Sequence, residues 1–260
     1  MRDLTNKVAW ITGAGSGIGE AVALAYARAG MRLVLSGRRQ AELDKVAAQV
    51  AAIGRETGNG ASARVAVLDV ADKDAVAAVA ASIQAQEGRL DVLVNSAGIN
   101  VRDRNWKRLA RSSWDDVIRI DLDGAFYCCH AALPIMRAQR DGLIVNISSW
   151  AGKHVGAITG PAYSAAKFGV NAMTESLNME ECIHGIRATA VCPGEVSTPI
   201  MDKRPIPVSA EDRARMVQPE DCGELMLFLA RMPAHVCLNE VTISPTWNRG
   251  YVAQAQAIPD

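Results

Sequence analysis

The chain has 260 residues, 49% of them hydrophobic, which is enough for one domain with a well-buried core. Its 28 basic and 28 acidic side chains balance, so no overall charge attracts nucleic acid or an anionic membrane, and neither partner is expected. The opening residues hold no apolar signal core, and the six cysteines show no CxxC pair or metal-ligand spacing, so we expect a reducing, cytoplasmic setting and no bound metal.

Short apolar runs alternate with longer helical patterns. Strands are predicted at 7–12, 32–36, 64–68, 91–94, 143–148, 186–192 and 241–243, and helices at 17–28, 40–53, 72–86, 114–140, 163–184 and 219–230. Fully apolar strands are typical of parallel strands covered on both faces, and this alternation predicts right-handed crossovers. We therefore expect an α/β protein, a doubly wound Rossmann fold with a mainly parallel sheet of about seven strands and helices on both faces, formed by residues 1–260 as one domain.

Three segments depart from this regular pattern. Pro134 is expected to kink or split the helix predicted at 114–140, near its end. Residues 54–63 are polar and glycine-rich, which predicts an exposed loop. Residues 195–216 form a long polar stretch with three prolines, and connections of that length are usually functional or mobile.

A glycine-rich turn, TGAGSGIG, joins the first strand to the first helix. Such a turn lets the backbone approach a pyrophosphate and points a helix N-terminus at it. Glycines alone also suit a structural bend, but the strand before and the helix after favour a dinucleotide site. The predicted contacts with the cofactor are Gly13, Gly15, Ser16, Gly17, Ile18 and Gly19.

Further motifs, in matching order over about residues 7–243, resemble those of the short-chain dehydrogenase/reductase family. They are the glycine pattern just described, Asp69-Val70, Asn95-Ser96-Ala97-Gly98, and Pro193-Gly194-Glu195-Val196-Ser197-Thr198. The resemblance implies an oxidoreductase that moves a hydride between a nicotinamide and a carbonyl or alcohol carbon. It also implies that Asp69 and Val70 contact the adenine and that the last motif lies beside the nicotinamide, which adds Asn95, Ala97, Gly98, Pro193, Gly194, Val196 and Thr198 to the expected cofactor contacts.

The second strand is followed by Gly37, Arg38 and Arg39, where an NAD-binding site usually has an acid for the ribose 2′-hydroxyl. A guanidinium suits a 2′-phosphate, and in the family arginine at the Arg38 position accompanies NADP. Arg39 is as well explained by a solvated helix start, and Ser16 stands where some NADP-binding members have a basic residue. NADP(H) is the expected cofactor, with NAD(H) as the alternative.

Tyr163 and Lys167 are four residues apart, so they share a helix face. A tyrosine hydroxyl releases its proton poorly at neutral pH, but a neighbouring ammonium favours the phenolate, so Tyr163 is the candidate general acid and base. By resemblance, Lys167 also binds the nicotinamide ribose, and Ser149 orients the substrate, whereas Ser148 is expected to be structural. Ser149 lies fourteen residues before Tyr163 instead of the usual thirteen, which indicates one extra residue in the loop 153–162.

Asp121 stands where the family normally has asparagine in its catalytic group. In the family that residue helps hold a helix distortion whose backbone carbonyl binds a water linked to the lysine. Asp121 is nearly isosteric, so it either substitutes quietly or, as a charge near Lys167, alters the proton relay.

Basic residues surround the expected substrate end, and they indicate either an acidic substrate or ordinary solvated loops. They are Arg102, Arg104, Lys107, Arg108, Lys153, His154, Arg204, Arg213 and Arg215. Ile200, Met201 and Ile206 are candidates for an apolar lid or for loop anchors.

By resemblance, dimers form through the helices 114–140 and 163–184 and tetramers through the last helix and strand, so a homo-oligomer, a dimer or a homotetramer, is expected. Trp247 and Tyr251 are candidate subunit contacts, and Cys128, Cys129 and His130 are expected to pack in a core or interface. The competing functions are a 3-oxoacyl-thioester reductase of the same family and a cofactor-binding sensor without turnover. The sequence does not specify the substrate.

Overall fold

The computed structural model describes residues 1–258, and within them one sheet has seven strands in the order β3-β2-β1-β4-β5-β6-β7, with every neighbouring pair parallel. The strands are β1 (Val8–Thr12), β2 (Arg32–Gly37), β3 (Ser62–Val67), β4 (Val92–Asn95), β5 (Gly142–Ile147), β6 (Ile186–Pro193) and β7 (Glu240–Ile243). The helices are α1 (Gly17–Arg28), α2 (Gln40–Thr57), α3 (Lys73–Glu87), α4 (Arg111–Ile118), α5 (Gly124–Gln139), α6 (Pro161–Glu181), α7 (Ala210–Ala214), α8 (Pro219–Arg231) and α9 (Arg249–Ala255). The predicted doubly wound α/β fold is confirmed.

Two apolar cores lie on opposite faces of the sheet, because successive strand side chains alternate in direction. Ile11 belongs to the core formed with α1, α2 and α8, whereas Trp10 belongs to the core formed with α3 and α5. The indole of Trp10 is wholly buried, and its N–H donates to the Ser36 hydroxyl at 3.0 Å, so its one polar atom is satisfied. The central strands therefore read as continuous apolar runs.

The strand order reverses at β1, which pairs with β2 on one side and β4 on the other. The register aligns Thr12 with both Ser36 and Asn95, and Asn95 with Asn146. The carboxyl ends of four strands thus meet at one edge. In open α/β sheets, ligands bind in the crevice that such a reversal opens.

Two predicted boundaries in the first half were wrong. Helix α2 continues to Thr57 and ends at Gly58 in a left-handed conformation (φ 64°), and β3 begins at Ser62, so the loop predicted at 54–63 is only four residues long. Parallel pairing with β2 extends the strand to Ser62, which lies opposite Arg32. Backbone pairing there overrides the polar composition.

The helix predicted at 114–140 is three segments, and the break does not lie at Pro134, which is inside an uninterrupted α5. α4 begins earlier, at Arg111, and a five-residue π-helical segment, Arg119–Asp123, separates it from α5. The wider turn carries Asp121 into the interior, where its carboxylate accepts the backbone N–H of Ile99 at 2.8 Å. A tertiary contact thus determines where the helix deforms.

Short helices interrupt two segments in which none was predicted. A 3₁₀-helix, Pro199–Lys203, and α7 lie within 195–216, and α9 follows β7. The side chains of Ser209 and Asn248 cap α7 and α9 by accepting backbone N–H groups. Helices of five to seven residues carry too little periodicity for sequence to detect. Within residues 1–258, none of the helices has the length and apolarity that a membrane crossing requires.

Candidate active site

A cavity of about 540 Å³ opens at the carboxyl edge of the sheet, beside β1, β4, β5 and β6. It is lined by most of the predicted site residues, from motifs up to about 185 positions apart in the chain. Those residues are Gly13, Gly15, Ser16, Gly17, Ile18, Arg38, Asp69, Val70, Ala97, Gly98, Asp121, Ser149, Tyr163, Lys167, Pro193, Gly194, Val196 and Thr198.

Gly19 and Asn95 were predicted to contact the cofactor, but neither lines the cavity. A Cβ on Gly19 would lie 2.4 Å from the carbonyl oxygen of Gly13, so this glycine lets α1 pack tightly against the turn. The amide of Asn95 is buried and donates to Asn146 Oδ1 at 2.8 Å, which joins β4 to β5. Both residues support the elements that form the cavity wall without lining the cavity themselves.

The glycine-rich turn is held against the loop that follows β4. Gly13 has φ 65°, a conformation that glycine adopts without strain, and a Cβ there would meet the backbone of Ser96 and Ala97 at 2.8 Å. The hydroxyl of Thr12 accepts the backbone N–H groups of both residues at 3.2 Å. The glycine-rich turn and the loop after β4 therefore contact each other through backbone, with no space for a side chain at Gly13.

Arg38 and Arg39 lie at one end of the cavity, where β2 ends, and Asp69 lies close by, after β3. Arg39 donates to the Ser16 hydroxyl at 3.2 Å, so it belongs to the site wall rather than to a purely solvated helix start. This end presents two guanidinium groups beside backbone donors, the groups that bind phosphate oxygens.

Ser149, Tyr163 and Lys167 lie at the other end of the cavity. Ser149 caps the 3₁₀-helix Trp150–Gly152, and its hydroxyl accepts the Ala151 N–H at 3.1 Å. Lys167 lies one turn after Tyr163 on α6, with its ammonium 5.4 Å from the centre of the phenol ring. A hydroxyl, a phenol and an ammonium thus converge on one space.

The ammonium of Lys167 donates to the Ile147 carbonyl at 3.0 Å and lies 3.3 Å from Asp121 Oδ2. Both side chains are almost wholly buried. Burial raises the pKa of Asp121, against the opposing effects of Lys167 and the Ile99 N–H. Burial lowers the pKa of Lys167, but Asp121 and Tyr163 outweigh it, so the net direction is upward. The pair therefore retains its protons to higher pH than either group would in water.

Ser148 is positioned differently from Ser149. It is buried, and its hydroxyl donates to the Lys167 carbonyl at 3.1 Å, so it connects β5 to α6. Gly152 lies at the same junction, because a Cβ there would be 2.8 Å from that carbonyl oxygen. This junction fixes the distance between the Ser149 segment and the helix that carries Tyr163 and Lys167.

Of the nine basic residues predicted near the substrate end, only Arg104 and Arg204 line the cavity within residues 1–258, and both are engaged. Arg104 donates to the carbonyls of Val101, Ile158 and Lys203, and Arg204 pairs with Glu195. Most of the others pair elsewhere, as Arg108 with Asp103, Lys153 with Glu240, Arg213 with Asp202 and Arg215 with Glu211, while the ring of His154 packs on Trp150.

The remaining lining of the substrate end combines apolar side chains with polar ones, among them Lys203. Ile200 and Met201 face the cavity as predicted for a lid, whereas Ile206 is outside it and 69% exposed. Sequence reasoning missed Ile99, Asn100, Ile158 and Thr159, which also line it. The Asn100 amide donates to the Thr159 carbonyl at 3.1 Å, a contact between loops that no sequence pattern announces.

Among residues 1–258, no group of three His, Cys, Asp or Glu side chains could hold a metal ion. A backbone cradle at the strand reversal, followed by a hydroxyl, phenol and ammonium, defines a nucleotide-dependent oxidoreductase of the Rossmann class. The model of the family "short chain dehydrogenase" matches residues 7–206, and the chain belongs to this family.

Similar proteins agree with that assignment. An uncharacterized oxidoreductase of Staphylococcus aureus (strain USA300) is 35% identical over 245 residues, which are 94% of this chain and 100% of that protein. A metagenomic short-chain oxidoreductase solved in complex with NADP has a TM-score of 0.80 at 31% identity, over 94% of this chain and 99% of the other. Levodione reductase has a TM-score of 0.85 at 28% identity, over 98% and 100%. This chain is therefore an NAD(P)-dependent oxidoreductase.

Proposed function

We propose that this protein transfers a hydride between NADP(H) and the carbonyl or secondary alcohol carbon of a small molecule, with Tyr163 as general acid and base. The observation that carries the proposal is the convergence of Ser149, Tyr163 and Lys167 in the cavity that the glycine-rich turn also lines. A site for phosphates and a proton-transfer group in one crevice have the arrangement that nicotinamide chemistry needs.

NADP(H) is the proposed cofactor, with NAD(H) as the alternative. The turn around Gly13 exposes backbone, while Arg38 and Arg39 supply positive charge where a 2′-phosphate would lie. The similar metagenomic oxidoreductase was solved with NADP. When bound, the nicotinamide supplies or accepts the hydride. The protein residues bind and orient the cofactor and the substrate, and they exchange the proton.

In this proposal Tyr163 gives its proton to the carbonyl oxygen in reduction and takes it back in oxidation. Ser149 donates a hydrogen bond to the same oxygen and fixes its direction. The ammonium of Lys167 lies 5.4 Å from the ring centre and places a positive charge beside the phenol. Positioned acid–base groups of this kind typically contribute factors of about 10² to 10⁴ in rate.

We further propose that the preferred substrate is uncharged. Arg104 spends its donors on three backbone carbonyls, and Arg204 is neutralised by Glu195, so neither is left to bind a carboxylate. Ile99, Ile200 and Met201 offer apolar surface instead. Lys203 also lines the cavity, so the acidic substrate that the basic loop residues suggested is the alternative.

The experiment measures NADPH and NADH oxidation over ketones, aldehydes, keto acids and 3-oxoacyl thioesters, with Y163F beside the wild type. We expect turnover with NADPH on uncharged carbonyls, a loss of at least about 10²-fold in kcat for Y163F, and unchanged NADPH affinity. Y127F is the matched control, because Tyr127 packs against the core on α5 and does not line the cavity. Tight NADPH binding without turnover on any compound would instead favour the sensor, and a preference for thioesters would favour the acyl-thioester reductase.

We also propose that the chain works in the cytoplasm as a homo-oligomer, a dimer or a tetramer. Support comes from exposed apolar side chains on α5 and α6, with Phe126 49%, Phe168 41% and Met179 75% exposed. The six cysteines are all free thiols, which fits a reducing compartment.

A further inference from the structure

A cluster of charged side chains lies just outside the cavity and centres on Glu195. Its carboxylate accepts two hydrogen bonds from Arg249, at 2.6 and 2.8 Å, and another from Arg204. Arg249 also lies 3.4 Å from Asp212 Oδ2. Burial raises the pKa of Glu195, but the hydrogen bonds from Arg249 and Arg204 outweigh it, so the carboxyl remains ionised.

The cluster connects four segments of the chain. Glu195 directly follows Gly194 of the motif that lines the cavity, and Arg204 follows the 3₁₀-helix Pro199–Lys203. Asp212 lies on α7, and Arg249 is the first residue of α9. We call residues 198–215 the lid. Arg249 joins the C-terminal segment to Asp212 within the lid and to Glu195 just before it, and Glu195 in turn pairs with Arg204 of the lid.

Two aromatic contacts join the same C-terminal segment to the entrance. The guanidinium of Arg215, at the end of the lid, lies 5.1 Å from the ring centre of Trp247. Tyr251 meets Trp150 edge-on at 5.7 Å, and Trp150 directly follows Ser149. Residues 247–251, which we call the latch, thus contact the lid on one side and the serine segment on the other.

The opposite side of the lid has an anchor of its own. Arg104 donates to the Lys203 carbonyl at 2.6 Å while it binds the carbonyls of Val101 and Ile158. This arginine is only 7% exposed, so that side is a packed wall. The latch side differs, because the side chains of Glu195 and Arg249 are 24% and 35% exposed and water can reach their ion pair. The latch is therefore the side that can release.

We propose that the latch holds the lid closed over the substrate end of the cavity, and that Arg249 is a positioning residue that sets substrate affinity through Glu195 and Arg204. This rests on the proposed function for its kinetic consequence, since Arg204, Ile200 and Met201 line the substrate end. Arg249 itself does not line the cavity within the described residues, so its effect is exerted through the lid. Opening requires the contacts of Arg204 with Glu195 and of Arg249 with Asp212 to break, and Arg249 holds Glu195 in place for the first of them.

The test compares the wild type with R249Q by amide hydrogen exchange without cofactor and by steady-state kinetics. The lid has internal backbone hydrogen bonds to follow, at the N–H groups of Met201, Arg204 and Arg213. Loss of a charged hydrogen-bonded pair should speed their exchange about tenfold and raise the KM of the carbonyl substrate by a similar factor. We expect kcat to stay within about twofold, because Tyr163 and Lys167 are untouched.

E195Q provides the same test from the other partner. The R249Q/E195Q double variant should lose less than the sum of the two single losses, because both single variants remove the contact between Glu195 and Arg249. R249K should lie between the wild type and R249Q, because it keeps the charge and loses the two-point geometry. R28Q is the matched control, since Arg28 forms an exposed ion pair with Glu224 between α1 and α8. We expect R28Q to leave lid exchange and KM unchanged.

The outcomes separate the two proposals. Faster lid exchange in R249Q and E195Q, in a protein that reduces no carbonyl compound, would support the latch and overturn the proposed function. Wild-type lid exchange and KM in both variants would overturn the latch and leave the function standing. Additive losses in the double variant would also overturn it, because the two residues would then not act through each other.

Discussion

Lys167 and Asp121 form the most deeply buried ion pair described for the chain, 3.3 Å apart with side chains 5% and 0% exposed. Asp121 Oδ2 makes no hydrogen bond of good geometry, while Oδ1 is occupied by the Ile99 N–H. The carboxylate therefore acts on the ammonium mainly through charge. The attraction between the carboxylate and the ammonium offsets part of the desolvation free energy that burying the carboxylate costs.

D121N tests what this charge does. Asparagine keeps the shape and the acceptor for Ile99 but removes the charge that raises the pKa of Lys167, so burial will then lower that pKa. Tyr163 on α6 and Cys192 on β6 are the other titratable groups facing this ammonium. The alkaline loss of kcat should therefore begin at a lower pH than in the wild type.

The raised pKa of Lys167 also makes the stability of the fold depend on pH. A raised lysine pKa stabilises the fold below the unfolded pKa of Lys167, and that contribution is lost as the pH rises through the folded value. D123N is the control, because Asp123 lies in the same π-helical segment without lining the cavity. An unchanged alkaline limb in D121N would show that Asp121 is only a steric replacement.

Arg38 is the residue on which the proposed preference for NADP(H) rests. R38Q removes a charged donor to the 2′-phosphate, worth about 1.5 to 3 kcal/mol, so we expect NADPH to bind at least about tenfold more weakly while NADH binding changes little. Isothermal titration with both cofactors measures this, with R55Q at the exposed end of α2 as control. Equal losses for the two cofactors would contradict a role at the 2′-position.

At the scale of elements, the site depends on how α6 docks against the 3₁₀-helix Trp150–Gly152. The Ser148 hydroxyl binds the Lys167 carbonyl at 3.1 Å, and the Asn171 amide donates to the Gly152 carbonyl at 3.1 Å. These two hydrogen bonds hold the segment that carries Ser149 in direct contact with α6. The π-helical segment packs against the same helix and brings Asp121 to Lys167.

G152A tests that docking. Its Cβ would lie 2.7 Å from Ser148 Oγ and 2.8 Å from the Lys167 carbonyl oxygen, and the backbone has to shift to accept it. We expect unfolding to become easier by about 1 to 3 kcal/mol in urea titrations, with kcat falling more than cofactor affinity. G156A is the matched control in the same loop, because the nearest atom to its Cβ is 3.9 Å away. Equal stability of the two variants would show that the junction is looser than the distances indicate.

At the scale of the whole molecule, both faces of the sheet are covered, and yet large apolar side chains remain outside. Phe126 on α5 and Phe168 on α6 are about half exposed. Isolated exposed apolar residues are ordinary in monomers, but these lie on the two helices that the family uses for dimers. An interface would remove their surface from water.

The F126S/F168S double variant tests this at the level of assembly. We expect light scattering to give the mass of a dimer or tetramer for the wild type and a smaller species for the variant at low concentration, since burial of aromatic surface drives association. V67S is the control, because Val67 is similarly exposed at the end of β3, outside the helices and the strand expected to form subunit contacts. We expect V67S to leave the measured mass unchanged. A monomeric wild type would contradict the oligomer outright.

Local patterns were enough to predict the fold class, and together with the family resemblance they predicted most of the site residues that line the cavity. Apolar runs, turn glycines and the spacing of Tyr163 and Lys167 are properties of adjacent residues, and parallel strands carry them to one edge by rule. The same patterns misplaced the helix break at Pro134 and missed α9. Neither depends on local propensity, because one is caused by a buried aspartate and the other is held by distant ion pairs.

The sequence by itself therefore determined the architecture, because hydrophobic periodicity acts over a few residues, and its motifs, through the family resemblance, indicated the candidate reacting groups. Only the tertiary structure decided the environment of those groups. Whether Arg104 is free or saturated, whether Asp121 faces Lys167, and which side chain holds the lid depend on contacts between segments 20 to 100 residues apart. Burial and charge pairing are consequences of that assembly, and they set what each side chain can do.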